Sequence, residues 1–352
     1  MNERPTADRV CFLGHHREMR AMIPRRNIGA TDIEVTELSF GGAPLGAVGD
    51  RITDDQAAAI MHRAREGGIR YFDTAPLYGH GLSEKRLGRV LRELPRDDFV
   101  LSTKVGRLLV PQSEGERFEG MRDNEPVAIR YDYSFDAVRC SLEASLERLG
   151  LDRVDILLCH DIDIWTHGDA QPGIFEAAKS GALPALRELR EQGVVRAIGL
   201  GVNEWRVCSE VMDLMDVDCF LLAGRFTLLE QEPLDEFLPK CAEHRVSIII
   251  GGPYNSGILA TDERRFATYD YKPAPEQVWQ KAQAIRRMCE SHGVDPRSAA
   301  LQYPLRHPAV AAVIPGVRAI DEVATNLDLF AAEIPDALWR DLASAELARA
   351  ID

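Results

Sequence analysis

Eight short apolar runs, each followed by a loop and then by a helix-like stretch, limit what this chain can fold into. They span residues 38–40, 70–72, 99–102, 154–158, 195–198, 218–222, 246–250 and 310–314. Runs this short and this continuously apolar suit strands buried on both faces, as in a parallel sheet. Helix signals lie between them. Thr53-Asp54-Asp55-Gln56 has the form of a capping box, and the helix it opens should end near Gly67-Gly68. A second helix is expected from Ser134 to Leu149, with Val138, Leu142, Ser145, Leu146 and Leu149 on one face and Gly150 as its stop. Residues 320–330 and 335–349 supply the last two helices. Eight strands alternating with helices in 352 residues predict an α/β fold, a single (β/α)8 TIM barrel with a C-terminal helix. An open doubly wound sheet is the alternative, but it normally carries G-x-G-x-x-G early, and that fingerprint is absent, as is a P-loop. Residues 26–36 hold two strand-like pieces around Gly29-Ala30-Thr31-Asp32, which predicts a short N-terminal hairpin able to plug the barrel's base. The expected organisation is an extension over 1–24 and one barrel over 25–352, with Met22 as a second candidate start.

Charge excludes some partners. Acidic residues outnumber basic ones by 56 to 42, a formal charge of −14, which repels nucleic acid and anionic membranes. The seven cysteines are scattered, without a C-x-x-C pair or a metal-ligand spacing, so they read as reduced thiols of a cytoplasmic protein with no metal site. No stretch is long and apolar enough to span a bilayer. The apolar patch at 10–13 runs into His15, His16 and Arg17 and is no signal peptide. A monomer or small homo-oligomer is expected.

Three connections are long, 106–133, 161–181 and 251–275, and each follows a strand. In a barrel, the loops after strands build the active site. Four ionisable residues stand just after consecutive strands: Asp73 and Tyr78 after the second, Lys104 after the third, His160 after the fourth. In a barrel they share one mouth. Their chemistry is complementary. Tyrosine and lysine both titrate near 10, and a cationic lysine beside the phenol stabilises phenolate and lowers the tyrosine's pKa. Asp73 would pair with Lys104 and fix it. Tyr78 then serves as general acid or base, and His160 orients a substrate oxygen. The set moves protons on a carbonyl or alcohol oxygen. It contains no nucleophile and no metal, so the hydride carrier comes from outside.

The spacing Asp-x4-Tyr, then Lys, then His resembles the catalytic tetrad of the aldo-keto reductases. The surrounding text is similar too: Phe72-Asp73-Thr74-Ala75, Tyr78-Gly79, Ser83-Glu84, Ser102-Thr103-Lys104 and Asp155-Ile156-Leu157-Leu158-Cys159-His160. Three glycine-bearing stretches, 40–46, 199–205 and 251–257, resemble one branch in particular. It is the branch of NAD-linked sugar dehydrogenases acting on D-threo-aldoses such as L-fucose and on L-galactose, with a pyridoxal dehydrogenase nearby. The resemblance implies oxidation of an aldose at its anomeric carbon to the lactone, with Tyr78 taking the hydroxyl proton.

It also implies a cofactor cradle. Gly42 lies in the loop of the first strand, and Asn255, Ser256 and Gly257 lie in the pyrophosphate loop. Gly316, Val317, Arg318, Glu322 and Asn326 fall at the adenosine end. Members that prefer NADPH place cations where Gly316 and Glu322 stand, so NAD is the expected cofactor, with NADP possible and Arg318 arguing for it. The nicotinamide grip departs from the family: only Asn203 remains of a Ser-Asn pair, a glutamine position holds Ala223, and a stacking tyrosine is replaced by Gly251. Arg225 or Tyr254 are candidates to compensate. Arg107, Tyr131, Trp165 and Trp205 are candidate contacts to a small sugar or aldehyde. Two other readings stand beside sugar oxidation: a dehydrogenase or reductase of pyridoxal or another carbonyl, and a non-enzymatic cofactor-binding regulatory subunit.

Overall fold

The apolar runs become the strands of one barrel, but pairing continues past the point where apolarity stops. The computed structural model describes residues 22–46, 52–115 and 126–351; residues 1–21 of the expected extension lie outside them. The chain opens with an antiparallel hairpin, β1 (Arg25–Asn27) and β2 (Glu34–Thr36). The barrel strands follow as β3 (Phe40–Gly41), β4 (Tyr71–Asp73) and β5 (Val100–Val105). A second hairpin, β6 (Arg107–Pro111) and β7 (Val127–Tyr131), intervenes before β8 (Ile156–His160), β9 (Ala197–Val202), β10 (Cys219–Ala223) and β11 (Ser247–Gly251). A minimal hairpin of β12 (Thr268–Tyr269) and β13 (Lys272–Pro273) precedes the last barrel strand, β14 (Val310–Ile314). The eight barrel strands pair in parallel from β3 round to β14. Bridges from Leu38 to Val313 and from Gly41 to Gly316 join the two ends. Asp73, Lys104 and His160 thus lie within strands, because backbone pairing carries these polar residues to the barrel's C-terminal end.

The first hairpin seals the base. Its Ile28, Ile33 and Val35 cluster with the inward side chains Tyr71, Ile156, Leu158, Cys219, Leu221 and Ile249. Burying each aliphatic side chain contributes about 1.5–3 kcal/mol. The turn needs glycine at Gly29, whose φ is +55° and where a Cβ would lie 2.6 Å from the Asp218 carbonyl oxygen. Arg26 ties the hairpin to the last strand by donating to the carbonyls of Leu305 and Val310, at 2.8 Å each. The plug expected from the sequence is therefore present.

Helices surround the strands. The Asp54–Glu66 helix starts at Thr53 with both halves of the capping box, and Phe135–Leu149 runs from its Ser134 cap to Gly150, as the sequence predicts. The final helix stops earlier than expected. It spans Asp336–Ser344 rather than reaching 349, because Glu346 takes a left-handed φ of +55° and Leu347 folds back to Leu342. The three long connections carry structure of their own. Between 106 and 133 lies the β6–β7 hairpin. Between 161 and 181 lie the short helices Ile164–His167 and Gln171–Ala177, and between 251 and 275 the β12–β13 turn.

Candidate active site

Asp73, at the end of β4, faces Lys104 on β5. The Lys104 Nζ donates to both carboxylate oxygens, at 2.9 and 2.7 Å, to the Thr74 carbonyl at 2.9 Å, and lies 3.1 Å from the Tyr78 hydroxyl. Ser102 donates a further bond to Asp73 Oδ1 at 2.7 Å. Tyr78 is delivered by a tight turn in which Gly79 passes so close to Gly46 that a Cβ would meet its carbonyl oxygen at 2.3 Å. Ser83 fixes that turn: its hydroxyl donates to the Gly42 carbonyl and bonds Thr74. Behind it, fully buried Glu84 accepts from Thr103 and Arg148. His160 ends β8, with its ring edge-on to Tyr78 and the centroids 6.1 Å apart. The structure thus brings the four sequence-picked residues together.

Burial pushes Asp73 upward in pKa, while Lys104 and Ser102 pull it back. Burial alone would lower Lys104, but Asp73 and Tyr78 outweigh it, so the ammonium is held charged. Tyr78 departs from the sequence expectation. Its phenol is pushed up to about 12, first by burial and also by Asp73, and Lys104 only partly offsets this. The lysine was expected to lower it, but its charge is largely answered by Asp73. His160 sits well below the ordinary histidine value because of burial, Arg107 and Lys104, so it is neutral. Its Nδ1 is buried without a hydrogen-bond partner, while Nε2 lies 3.3 Å from Asp161 Oδ2. That assigns the proton to Nε2, since the carboxylate accepts it.

The substrate candidates divide. Arg107 is buried and ion-paired with Asp161, beneath the Tyr131 ring at 4.9 Å. Tyr131 also meets the His167 ring at 4.8 Å. Trp165 stands exposed on the Ile164–His167 helix, with its backbone N–H on Glu204. Trp205 turns away: it stacks on Phe237 at 5.8 Å, and its indole N–H points to Glu232. Sequence reasoning missed Asp161, which joins Arg107, His160 and Asn203. The signal was a second charged residue at the same strand end. Asn203 donates its side-chain amide to Asp161 at 3.0 Å and its backbone N–H to Asp163 at 2.6 Å.

At the cofactor side, Asn255, Ser256 and Gly257 are three successive left-handed residues, with φ of 47°, 56° and 100°. Asn255 is buried and spends its side chain on the Gly224 carbonyl and Thr227. Ser256 is tied to the β12–β13 turn, its carbonyl accepting from Thr268 and its hydroxyl from the Tyr271 N–H. That turn is anchored again by Asp270, which pairs with Arg225 at 2.9 Å. A Cβ on Gly252 or Gly257 would meet nothing within 4 Å, so both face open space. Gly42 is constrained by packing, since its N–H donates to the Asp73 carbonyl and a Cβ would collide with that oxygen at 2.6 Å. Gly316 lies against Pro44, and Val317 is buried. Glu322 accepts the Arg318 backbone N–H at 2.6 Å and faces its guanidinium at 3.7 Å. The Tyr254 hydroxyl donates to Asn326 at 2.8 Å. Arg225 is therefore engaged by the loop at Asp270, and Tyr254 by Asn326 of the helix Ile320–Ala331. Open glycine faces beside a left-handed curl fit the close backbone approach of a dinucleotide.

The sequence profile of the Aldo/keto reductase family matches residues 37–346. The chain belongs to that family. It is 40% identical over 325 residues to a D-threo-aldose 1-dehydrogenase of a Pseudomonas species, covering 90% of this chain and 96% of that one. It is 37% identical over 334 residues to a pyridoxal 4-dehydrogenase of Microbacterium luteolum, covering 92% and 97%. Among solved structures, a holo-form aldo-keto reductase of Bacillus halodurans superposes with a TM-score of 0.69 at 27% identity, over 94% of this chain and 98% of that one. The aldo-keto reductases are oxidoreductases that use a nicotinamide dinucleotide on small carbonyl or alcohol substrates. Among the described residues, no helix is long and apolar enough to cross a membrane, and no group of side chains could hold a metal ion.

Proposed function

We propose that this aldo/keto reductase oxidises an aldose at its anomeric carbon to the lactone and prefers NAD⁺. The observation that carries the reading is the buried Asp73–Lys104 pair bonded to the half-buried Tyr78, with neutral His160 across from it, in a sequence 40% identical to an aldose 1-dehydrogenase. The anomeric hydroxyl would sit between the Tyr78 hydroxyl and His160 Nε2. His160 donates to its oxygen and orients it. Tyr78 takes its proton as phenolate and returns it as phenol in the reverse direction. Lys104 stabilises the phenolate at 3.1 Å, and Asp73 keeps Lys104 charged and in place. The nicotinamide, when bound, supplies the acceptor for the hydride leaving the carbon.

Ser256 and Gly257 would hold the pyrophosphate, and Asn203 the nicotinamide end. Glu322, with Gly316, Val317, Arg318 and Asn326 around it, would take the adenosine. A carboxylate accepts from a 2′-hydroxyl and repels a 2′-phosphate. The guanidinium of Arg318 faces that same carboxylate, which answers its charge and weakens the argument for NADP⁺. The test offers L-fucose, D-arabinose, L-galactose and pyridoxal with each cofactor and follows absorbance of the reduced nicotinamide. Aldose oxidation with higher kcat/KM for NAD⁺ is expected. An NADP⁺ preference sinks the cofactor assignment. The pyridoxal relative supports a second reading, and turnover of pyridoxal alone would put it first. Tight cofactor binding without turnover of any substrate would favour a regulatory subunit.

A further inference from the structure

Asp161 stands beside the tetrad, yet the proton chemistry above does not use it. The residue is held on every polar atom. Its Oδ2 pairs with Arg107 from β6 and lies 3.3 Å from His160 Nε2, and its Oδ1 accepts from Asn203 at 3.0 Å. Its N–H donates to the Gly201 carbonyl at 2.9 Å. Its own carbonyl accepts from the Tyr133 hydroxyl and bonds His167 Nε2, both at 2.7 Å. All this fixes a non-glycine residue at a φ of +49°. Such a conformation costs free energy and persists only where the surroundings over-determine it. A structural ion pair alone would have no need to stand at the histidine. The His160 and Asp161 side chains keep 6% and 8% exposure, and Nε2 and Oδ2 lie 3.3 Å apart, within reach of one small molecule. Burial pushes Asp161 up to about 6 while Arg107 pulls it back, so it is a carboxylate at neutral pH. Its two oxygens offer about four acceptor positions. Arg107 and Asn203 take two of them.

We propose that Asp161 determines specificity by accepting a hydroxyl on the carbon next to the reacting one, selecting substrates with a 2-hydroxyl group. The inference rests on the placement of the reacting oxygen between Tyr78 and His160 proposed above. Vicinal hydroxyl oxygens lie about one hydrogen-bond length apart, so an oxygen on Nε2 puts its neighbour at the carboxylate. Arg107 and Asn203 are positioning residues that aim the carboxylate.

The experiment compares pairs differing only in that hydroxyl. They are D-arabinose against its 2-deoxy counterpart with NAD⁺, and 2-hydroxypropanal against propanal with NADH. Wild type should favour the hydroxylated member by about 10- to 100-fold in kcat/KM, the range for a hydrogen bond to a charged group. Asp161→Asn should reduce that ratio by about fivefold or more. A ratio taken within one preparation cancels the fraction of active enzyme, so partial misfolding cannot imitate the result. A wild-type ratio near one, a ratio that survives Asp161→Asn, or turnover of neither pair overturns the proposal. So does a variant that slows both members of a pair equally, which is the mark of a merely structural role. The two hypotheses separate cleanly. Preference for 2-hydroxypropanal without aldose oxidation removes the sugar assignment and keeps Asp161. Aldose oxidation without preference does the reverse.

Discussion

The tetrad and the loop proposed to hold the pyrophosphate lie at the same end of the barrel but are built differently. In the tetrad, Asp73, Lys104 and Tyr78 are bonded to one another, and strands β4, β5 and β8 carry three of the four residues. In the loop, Asn255 and Ser256 spend their bonds on neighbouring loops, and the chain turns through three left-handed residues. One region fixes charge by pairing it inside a rigid sheet. The other offers shape and backbone, and leaves open faces at Gly252 and Gly257. A defect in the first should therefore damage chemistry and folding, and a defect in the second chiefly cofactor affinity.

The sharpest way to break that contrast is Tyr78→Phe. It should reduce turnover by about 10²- to 10⁴-fold and leave the NAD⁺ dissociation constant, read by fluorescence titration, unaltered. A variant with near-normal rate means another group moves the proton. The wild-type phenol makes a companion statement about pH. With its pKa near 12, the phenolate is scarce at neutral pH and grows about tenfold per pH unit. Oxidation should climb steadily from pH 7 upward, whereas reduction, which uses the phenol as acid, should stay flat across the neutral range. An oxidation rate independent of pH over that interval contradicts the assignment.

Lys104→Met comes next. It leaves Asp73 buried without its cation, a change that costs about 3–5 kcal/mol where a buried pair is broken. Denaturant unfolding should register that loss together with a collapse in turnover. If stability is unchanged, the pair is not the structural element described. The smallest effect is expected at the far end of the cradle. Glu322→Gln should shift the kcat/KM ratio of NAD⁺ to NADP⁺ by about tenfold toward NADP⁺, one favourable hydrogen bond to a charged group, with unfolding unaffected. A ratio that does not move shows that Glu322 serves only Arg318.

Much of the tetrad was legible because the second, third and fourth apolar runs lead into Asp73, Lys104 and His160, and in a parallel barrel those strand ends share one mouth. One capping box, one serine cap and the glycine stops placed two helices to within a residue. What the sequence hid depends on burial and on folding back. Neighbouring charges could be read around Tyr78, but not its desolvation, so the expected direction of its pKa was reversed. Arg107 looked like a group in the mouth because nothing in the order of residues shows that β6 lays it on Asp161. Trp205 sits in a loop by sequence, yet the packing of its helix against Phe237 turns the ring outward. Asp161 depends on contacts to positions 54 residues before it and 42 after it, and neither leaves a local pattern.

The hairpin floor of Ile28, Ile33 and Val35 makes the barrel a cup with a single opening. Above that floor, Lys104, Asp73, Ser102 and Tyr71 continue the hydrogen-bonded chain from Tyr78 and end on the hydrocarbon of the hairpin. A proton taken up by Tyr78 would then leave by the rim through which the substrate enters, so an occupied cup would also be a corked one. Return of the phenol to bulk water would wait on product departure, with proton and product sharing one door.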